Sequence, residues 1–211
     1  MGSTKLYIFD FDGTLVNTME LWDNMTRRFL RLYGIEIDDD TLSFLNTQNF
    51  KEALRYFIEV LGVPESPEVI GDKWYDFAVS IFKQEAKPLP GAPECLDRLR
   101  EGGAKLVLFT LSPRPLVDML MGELGLAGRF DRTFMGGETA SPKTEAAAFL
   151  EIAQRMGADP ADTLVVEDSP YACEAARLAG MKTCGVCISN KHASTLREMC
   201  DFVISDYCEL K

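Results

Sequence analysis

Tyr7-Ile8-Phe9-Asp10-Phe11-Asp12-Gly13-Thr14-Leu15 is an apolar run that ends in two aspartates, one residue apart, and a glycine turn. Residues two apart in a strand share a face, so a strand that stops here aims Asp10 and Asp12 at one small volume. Carboxylates so close repel each other unless a cation lies between them or one keeps its proton. Perturbed pairs of this kind gather at functional sites. An Asp-Gly step is also ordinary turn chemistry, and this stretch alone leaves both readings open.

Beyond Thr14 the apolar spacing becomes helical. Leu21, Met25, Phe29 and Leu32 predict one face of a helix that stops at Gly34. Asp38 to Asp40 offer N-cap chemistry for a second helix through Leu42 and Leu45. Ala53, Leu54, Phe57, Ile58 and Leu61 make a third apolar face, and Ile70, Trp74, Phe77, Ala78 and Ile81 a fourth between Pro67 and Ala86. Lys87-Pro88-Leu89-Pro90-Gly91 then reads as a stiff connector. After it, strands at Lys105 to Thr110, Phe130 to Met135, Leu164 to Val166, Thr183 to Val186 and Phe202 to Ile204 alternate with helices. Nearly continuous apolar strands alternating with helices predict an α/β fold: a parallel sheet with helices on both faces. An all-helical block is inserted after its first strand.

The composition, 46% hydrophobic and 26% charged over 211 residues, is that of a soluble globular protein. Lys plus Arg number 22 against 33 Asp plus Glu, a net charge of -11, which argues against nucleic acid or an anionic membrane surface as partner. Small anionic ligands stay open if a metal and a lysine supply positive charge. No apolar run approaches the ~18 residues of a membrane span, and no signal-peptide core opens the chain, so a cytoplasmic location is expected. The six cysteines, Cys95, Cys173, Cys184, Cys187, Cys200 and Cys208, read as reduced and mostly buried thiols. Cys184 and Cys187 form one CxxC without a second pair, and His192 is the single histidine, so no zinc site is expected.

In an open parallel sheet, ligands bind beyond the carboxyl ends of the strands. The second strand ends at Thr110, a later one runs into Glu167 and Asp168, and Lys143 stands ahead of a helix. Taken singly, Thr110 reads as a loop cap, Lys143 as a surface lysine and Glu167-Asp168-Ser169 as an N-cap cluster. Together with Asp10 and Asp12 they put acids, a hydroxyl and a cation where such sheets bind ligands.

These residues resemble the four motifs of the haloacid dehalogenase superfamily. Asp10, Asp12, Gly13 and Thr14 match DxDGT, and Leu106-Val107-Leu108-Phe109-Thr110 match the apolar strand ending in Ser or Thr. Lys143 matches the lysine ahead of a helix, and Val165-Val166-Glu167-Asp168 the strand followed by an acidic pair. Ala176-Arg177-Leu178-Ala179-Gly180-Met181 is similar to the branch holding phosphoglycolate phosphatases and β-phosphoglucomutases. The resemblance implies a Rossmann-like core domain over 1–16 and 88–211 and a helical cap domain over 17–87. It implies a Mg²⁺-dependent phosphatase on a small phosphorylated metabolite, acting as monomer or homodimer. Asp10 would be the nucleophile, and Asp12 the general acid and then the general base. Asp10, the backbone carbonyl of Asp12, Asp168 and either directly or as an orienter Glu167 would serve the metal. Thr110, Lys143 and the backbone N–H groups of Phe11, Asp12 and Leu111 would hold the phosphoryl oxygens.

The chain departs from the family pattern at Asn17, where related sequences usually carry an acidic residue. It departs again in Asn46-Thr47-Gln48-Asn49-Phe50-Lys51, where mutases carry an arginine for the distal phosphate and only Lys51 is positive here. Simple hydrolysis is therefore expected ahead of mutase chemistry, and both ahead of a non-catalytic binder. Arg114 is expected to face solvent.

Overall fold

The computed structural model describes residues 4–46, 48, 50–188 and 192–210. Thr47 and Asn49 of the loop just discussed lie outside them. The chain forms two compact units, Met1–Asn17 with Lys87–Lys211, and Thr18–Ala86. The junctions differ by one residue from the bounds read from the motifs, because Asn17 and Lys87 bond to each other. The Asn17 N–H donates to the Lys87 carbonyl at 3.0 Å, and the Lys87 N–H to Asn17 Oδ1 at 2.7 Å.

The chain order is β1 (Leu6–Phe9), α1 (Met19–Leu30), α2 (Asp39–Asn46), α3 (Phe50–Glu59), α4 (Pro67–Glu85), α5 (Ala92–Glu101) and β2 (Lys105–Thr110). It continues α6 (Arg114–Glu123), β3 (Arg132–Met135), α7 (Ala146–Met156), β4 (Thr163–Glu167), α8 (Pro170–Leu178), β5 (Lys182–Val186), α9 (Ala193–Met199) and β6 (Phe202–Ile204).

The first unit is a Rossmann-like α/β layer structure. Its six strands are all parallel in the order β3-β2-β1-β4-β5-β6. The chain starts mid-sheet, builds β2 and β3 to one side, then crosses back to lay β4, β5 and β6 on the other. Strand order therefore reverses between β1 and β4, where such sheets open a crevice beyond the strand ends. Every residue of β1 is buried, which is why it reads as a continuous apolar run: both faces are covered. Leu6 and Ile8 join Val107, Phe109 and Val165 in one core with Phe149 and Ile152 of α7 and Ala172, Ala175 and Ala176 of α8. The alternate residues Tyr7, Phe9, Leu106 and Leu108 are buried as well.

The second unit is helical throughout its named elements, α1 to α4, and closes on its own core of Phe29, Leu30, Leu45, Leu54, Phe57, Val63 and Ile70. The Asp38 carboxylate accepts the Thr41 N–H at 2.8 Å, so the cap expected for α2 forms. The expected apolar face of α1 is corrected at its end. Leu32 is 64% exposed while Leu30 is fully buried. The α-helix stops at Leu30, a 3₁₀ turn over Arg31–Tyr33 follows, and the Ile35 N–H returns to the Leu30 carbonyl at 3.1 Å. That tightened end passes the inward role to Leu30, with Tyr33 and Ile35 packed beside it. No helix among the described residues is long and apolar enough to cross a membrane. Cys95, Cys173, Cys184 and Cys187 are buried, Cys200 is half-buried and Cys208 exposed; all six are free thiols.

Candidate active site

Strand register assembles the site. Phe9 pairs with Leu108 on one side and Val166 on the other. One step further along, Asp10 lies beside Glu167, the last residue of β4, and Thr110 ends β2. Asp10 is anchored by its own N–H, which donates to the Val166 carbonyl at 3.0 Å. Gly13, at φ 75°, turns the chain directly after Asp12, a conformation a side chain would strain.

Lys143, in the turn ahead of α7, is buried to 3% exposure and reaches into this corner. Its ammonium donates to Asp10 Oδ1 at 2.5 Å and to the Phe109 carbonyl at 2.8 Å, and lies 3.0 Å from Glu167 Oε1. Three acceptors for three N–H groups bind the ends of β1, β2 and β4 together. Glu167 is just as fully used. Its Oε2 accepts the Asp168 and Ser169 N–H groups at 2.5 and 3.1 Å, and Oε1 accepts the Ser169 hydroxyl at 2.9 Å.

Carboxylate oxygens of Asp10, Glu167 and Asp168 lie within 4.8 Å of one another. One ammonium cannot balance three carboxylates in so buried a place, and the protonation tendencies record the excess. Burial, helped by the Glu167 charge, pushes Asp10 up to about 7 despite Lys143. Burial, then Glu167 and Asp10, push Asp168 up to about 9. Burial works to raise Glu167 too, but Lys143 outweighs it and holds Glu167 below the ordinary carboxylate value. For Lys143 burial works downward, and the Asp10 and Glu167 charges outweigh it and hold the lysine above its ordinary value. A cluster of oxygen donors with surplus negative charge fits a hard divalent cation. Asp10, Glu167 and Asp168 are the carboxylates that could hold it, with both Glu167 oxygens also accepting hydrogen bonds from Lys143 or from the loop.

Asp12 turns away to a different partner: its Oδ2 accepts the hydroxyl of Ser112. Ser112 in turn donates its N–H to the buried Thr110 hydroxyl at 3.1 Å. The two aspartates of the opening motif are thus built into unlike surroundings.

A family model for haloacid dehalogenase-like hydrolases matches residues 7–186, spanning every residue of this constellation. The chain belongs to the haloacid dehalogenase-like hydrolase family. Among the relatives of this hydrolase is the fructose-1-phosphate phosphatase YqaB of Escherichia coli, 28% identical over 176 residues, which are 82% of this chain and 92% of that protein. The phosphoglycolate phosphatase of Agrobacterium fabrum is 28% identical over 212 residues, 98% of this chain and 91% of its own. A Thermotoga maritima structure provisionally assigned as a β-phosphoglucomutase superposes with a TM-score of 0.85 at 26% identity, over 98% of this chain and 96% of that one.

In this hydrolase the fold brings Asp10, Lys143, Glu167 and Asp168 into direct contact range and places Thr110 at the adjacent strand end. The Asp12 carboxylate is not in the cation cluster found among the described residues. Arg114 pairs with Glu138 at 2.6 Å on the surface. Lys51 is exposed at the start of α3.

Two residues escaped the sequence reading. Ser112 stands two positions after Thr110, the same spacing that singled out Asp10 and Asp12, so the signal was present. Tyr207 carries no local signal: fully buried, it donates its hydroxyl to the Thr14 carbonyl at 2.6 Å from the far end of the chain.

Proposed function

We propose that this chain hydrolyses small phosphate monoesters, sugar phosphates or phosphoglycolate-like esters, with Asp10 as nucleophile and Mg²⁺ as cofactor. The observation that carries the reading is Asp10 itself, a buried carboxylate at the strand-order reversal, held at 2.5 Å by Lys143. The phosphatase names of two relatives at 28% identity support the substrate class.

Asp10 attacks phosphorus; the bond from phosphorus to the leaving oxygen breaks, and that oxygen takes the proton carried by Asp12. The product is an aspartyl-phosphate and a free alcohol. Asp12, now a carboxylate, removes a proton from water as the water oxygen attacks the same phosphorus. The bond to Asp10 breaks, and Asp10 and inorganic phosphate are released. Thr110, Lys143 and the N–H groups of Phe11, Asp12 and Leu111 hold the phosphoryl oxygens as their charge grows. Asp10, Asp168 and the Asp12 carbonyl would hold Mg²⁺, which when bound draws charge from those oxygens. In this reading the helical unit is the cap that excludes water and reads the leaving group.

The test is phosphate release from a panel of sugar phosphates, phosphoglycolate and nucleotides, with Mg²⁺ and with EDTA. Asp10→Asn is expected to abolish release, and retention of substantial turnover would sink the nucleophile assignment. The structural likeness to the provisional β-phosphoglucomutase keeps a mutase as the second reading. β-Glucose 1-phosphate with a bisphosphate primer separates the two: a mutase isomerises it, a phosphatase frees phosphate. Failure on the whole panel would favour a binding protein.

A further inference from the structure

The hydroxyl of Ser112 donates to Asp12 Oδ2, and the Ser112 N–H donates to Thr110 Oγ1 at 3.1 Å. These contacts join the end of β2 to the loop after β1, and the two strands are hydrogen-bonded neighbours. Thr110 is buried to 1% exposure, so the chain of contacts starts from a fixed point. Asp12 lies beyond the last residue of β1, on a turn, and is half-exposed. An aspartate there has rotamers to spare, and bringing its carboxyl group to the reacting oxygen costs entropy unless something holds it.

We propose that Ser112 is the positioning residue for Asp12, holding its carboxyl group in place through both halves of the hydrolysis; the inference rests on the phosphatase reading above. A neutral hydroxyl suits this task where a lysine's ammonium, with its full positive charge, does not. It donates to Asp12 Oδ2 whether the group is ionised or carries its proton on Oδ1, so it stays bonded as Oδ1 gives up its proton to the leaving oxygen and takes one from water. Ser112 touches neither phosphorus nor the leaving group in this role; it acts through Asp12.

The experiment compares two esters on the full chain with Mg²⁺: p-nitrophenyl phosphate, whose leaving group departs without a proton, and the best alkyl ester from the panel, whose alkoxide needs one. The ratio kcat/KM reports the steps through departure of the leaving group. Ser112→Ala is expected to lower it about tenfold or more for the alkyl ester, within the range that general acid catalysis supplies, and by less than about threefold for the aryl ester. Ser112→Thr, which keeps the hydroxyl, is expected to restore the alkyl value. Ser112→Cys, similar in size with a weaker donor, is expected to lose the alkyl value alone and serves if the alanine variant does not fold. Equal losses on both esters, or no loss on either, would overturn the positioning role and leave the phosphatase reading standing. A wild-type chain that hydrolyses neither ester would instead sink that reading, and this inference with it.

Discussion

Tyr207 donates its phenol hydroxyl to the carbonyl of Thr14 at 2.6 Å, across 193 positions of chain. Thr14 lies two residues after Asp12 and is fully buried, so no water replaces that donor. Tyr207→Phe leaves the carbonyl without it. The expected cost is about 1–3 kcal/mol of stability, the usual penalty for an orphaned buried acceptor. Because the same turn carries Asp12, kcat is expected to fall several-fold with KM nearly unchanged. Urea unfolding and steady-state kinetics check both; a variant unaltered in each would show the bond to be dispensable.

Gly91 opens α5 with φ +77°, and a β-carbon there would lie 3.2 Å from Tyr207 Cβ. Gly103 has φ +83° with nothing within 4 Å. Both alanine variants incur backbone strain, and Gly91→Ala alone also crowds Tyr207. It is expected to cost about 1 kcal/mol more than Gly103→Ala, at the lower end of overpacking penalties. Equal unfolding midpoints for the two would refute the steric part.

Lys143 is the counter-charge of the acidic corner, 2.5 Å from Asp10 and 3.0 Å from Glu167. Lys143→Met removes the charge and keeps the stem. Near neutral pH the loss is expected to reach about 3–5 kcal/mol, as when one partner of a buried pair is removed. At pH 4 to 5, where keeping the stranded carboxyls protonated costs little relative to the unfolded chain, the loss is expected to shrink. Chemical denaturation at the two pH values tests this; a loss independent of pH would contradict it.

Asp10 and Asp168 are raised in the folded chain, from 3.8 to about 7 and about 9. Between the unfolded and folded values the native state binds more protons, so raising the pH lowers stability through that window. The contribution is fully present below about pH 4 and gone above about pH 9, following those two values. A divalent cation competes with these protons. The rise in melting temperature on adding Mg²⁺ to EDTA-treated protein is therefore expected to grow from pH 5.5 to pH 8.5. A constant or shrinking increment would place the ion elsewhere.

The strands, and the residues that end them, were legible because their signal is local. Leu106 to Thr110 reads as a strand ending in a hydroxyl from five consecutive residues, and β2 ends at Thr110. Leu32 was misread for the complementary reason. Its spacing from Phe29 suits an α-helix, but the chain had already tightened into a 3₁₀ turn at Arg31, which no periodicity announces.

By itself the sequence determined the parallel α/β pattern, the inserted helical run and the residue types gathered at the site, because propensity, period and motif are written in neighbouring residues. Tertiary structure alone decided which of those residues bond to which. Lys143 spends its three N–H groups on Asp10, Glu167 and the Phe109 carbonyl, Glu167 spends its oxygens on Lys143 and its own loop, and Asp12 turns to Ser112. These are contacts between strand ends distant in sequence. Which donor meets which acceptor there follows from the order and register of β1, β2 and β4, set by packing on both faces of the sheet.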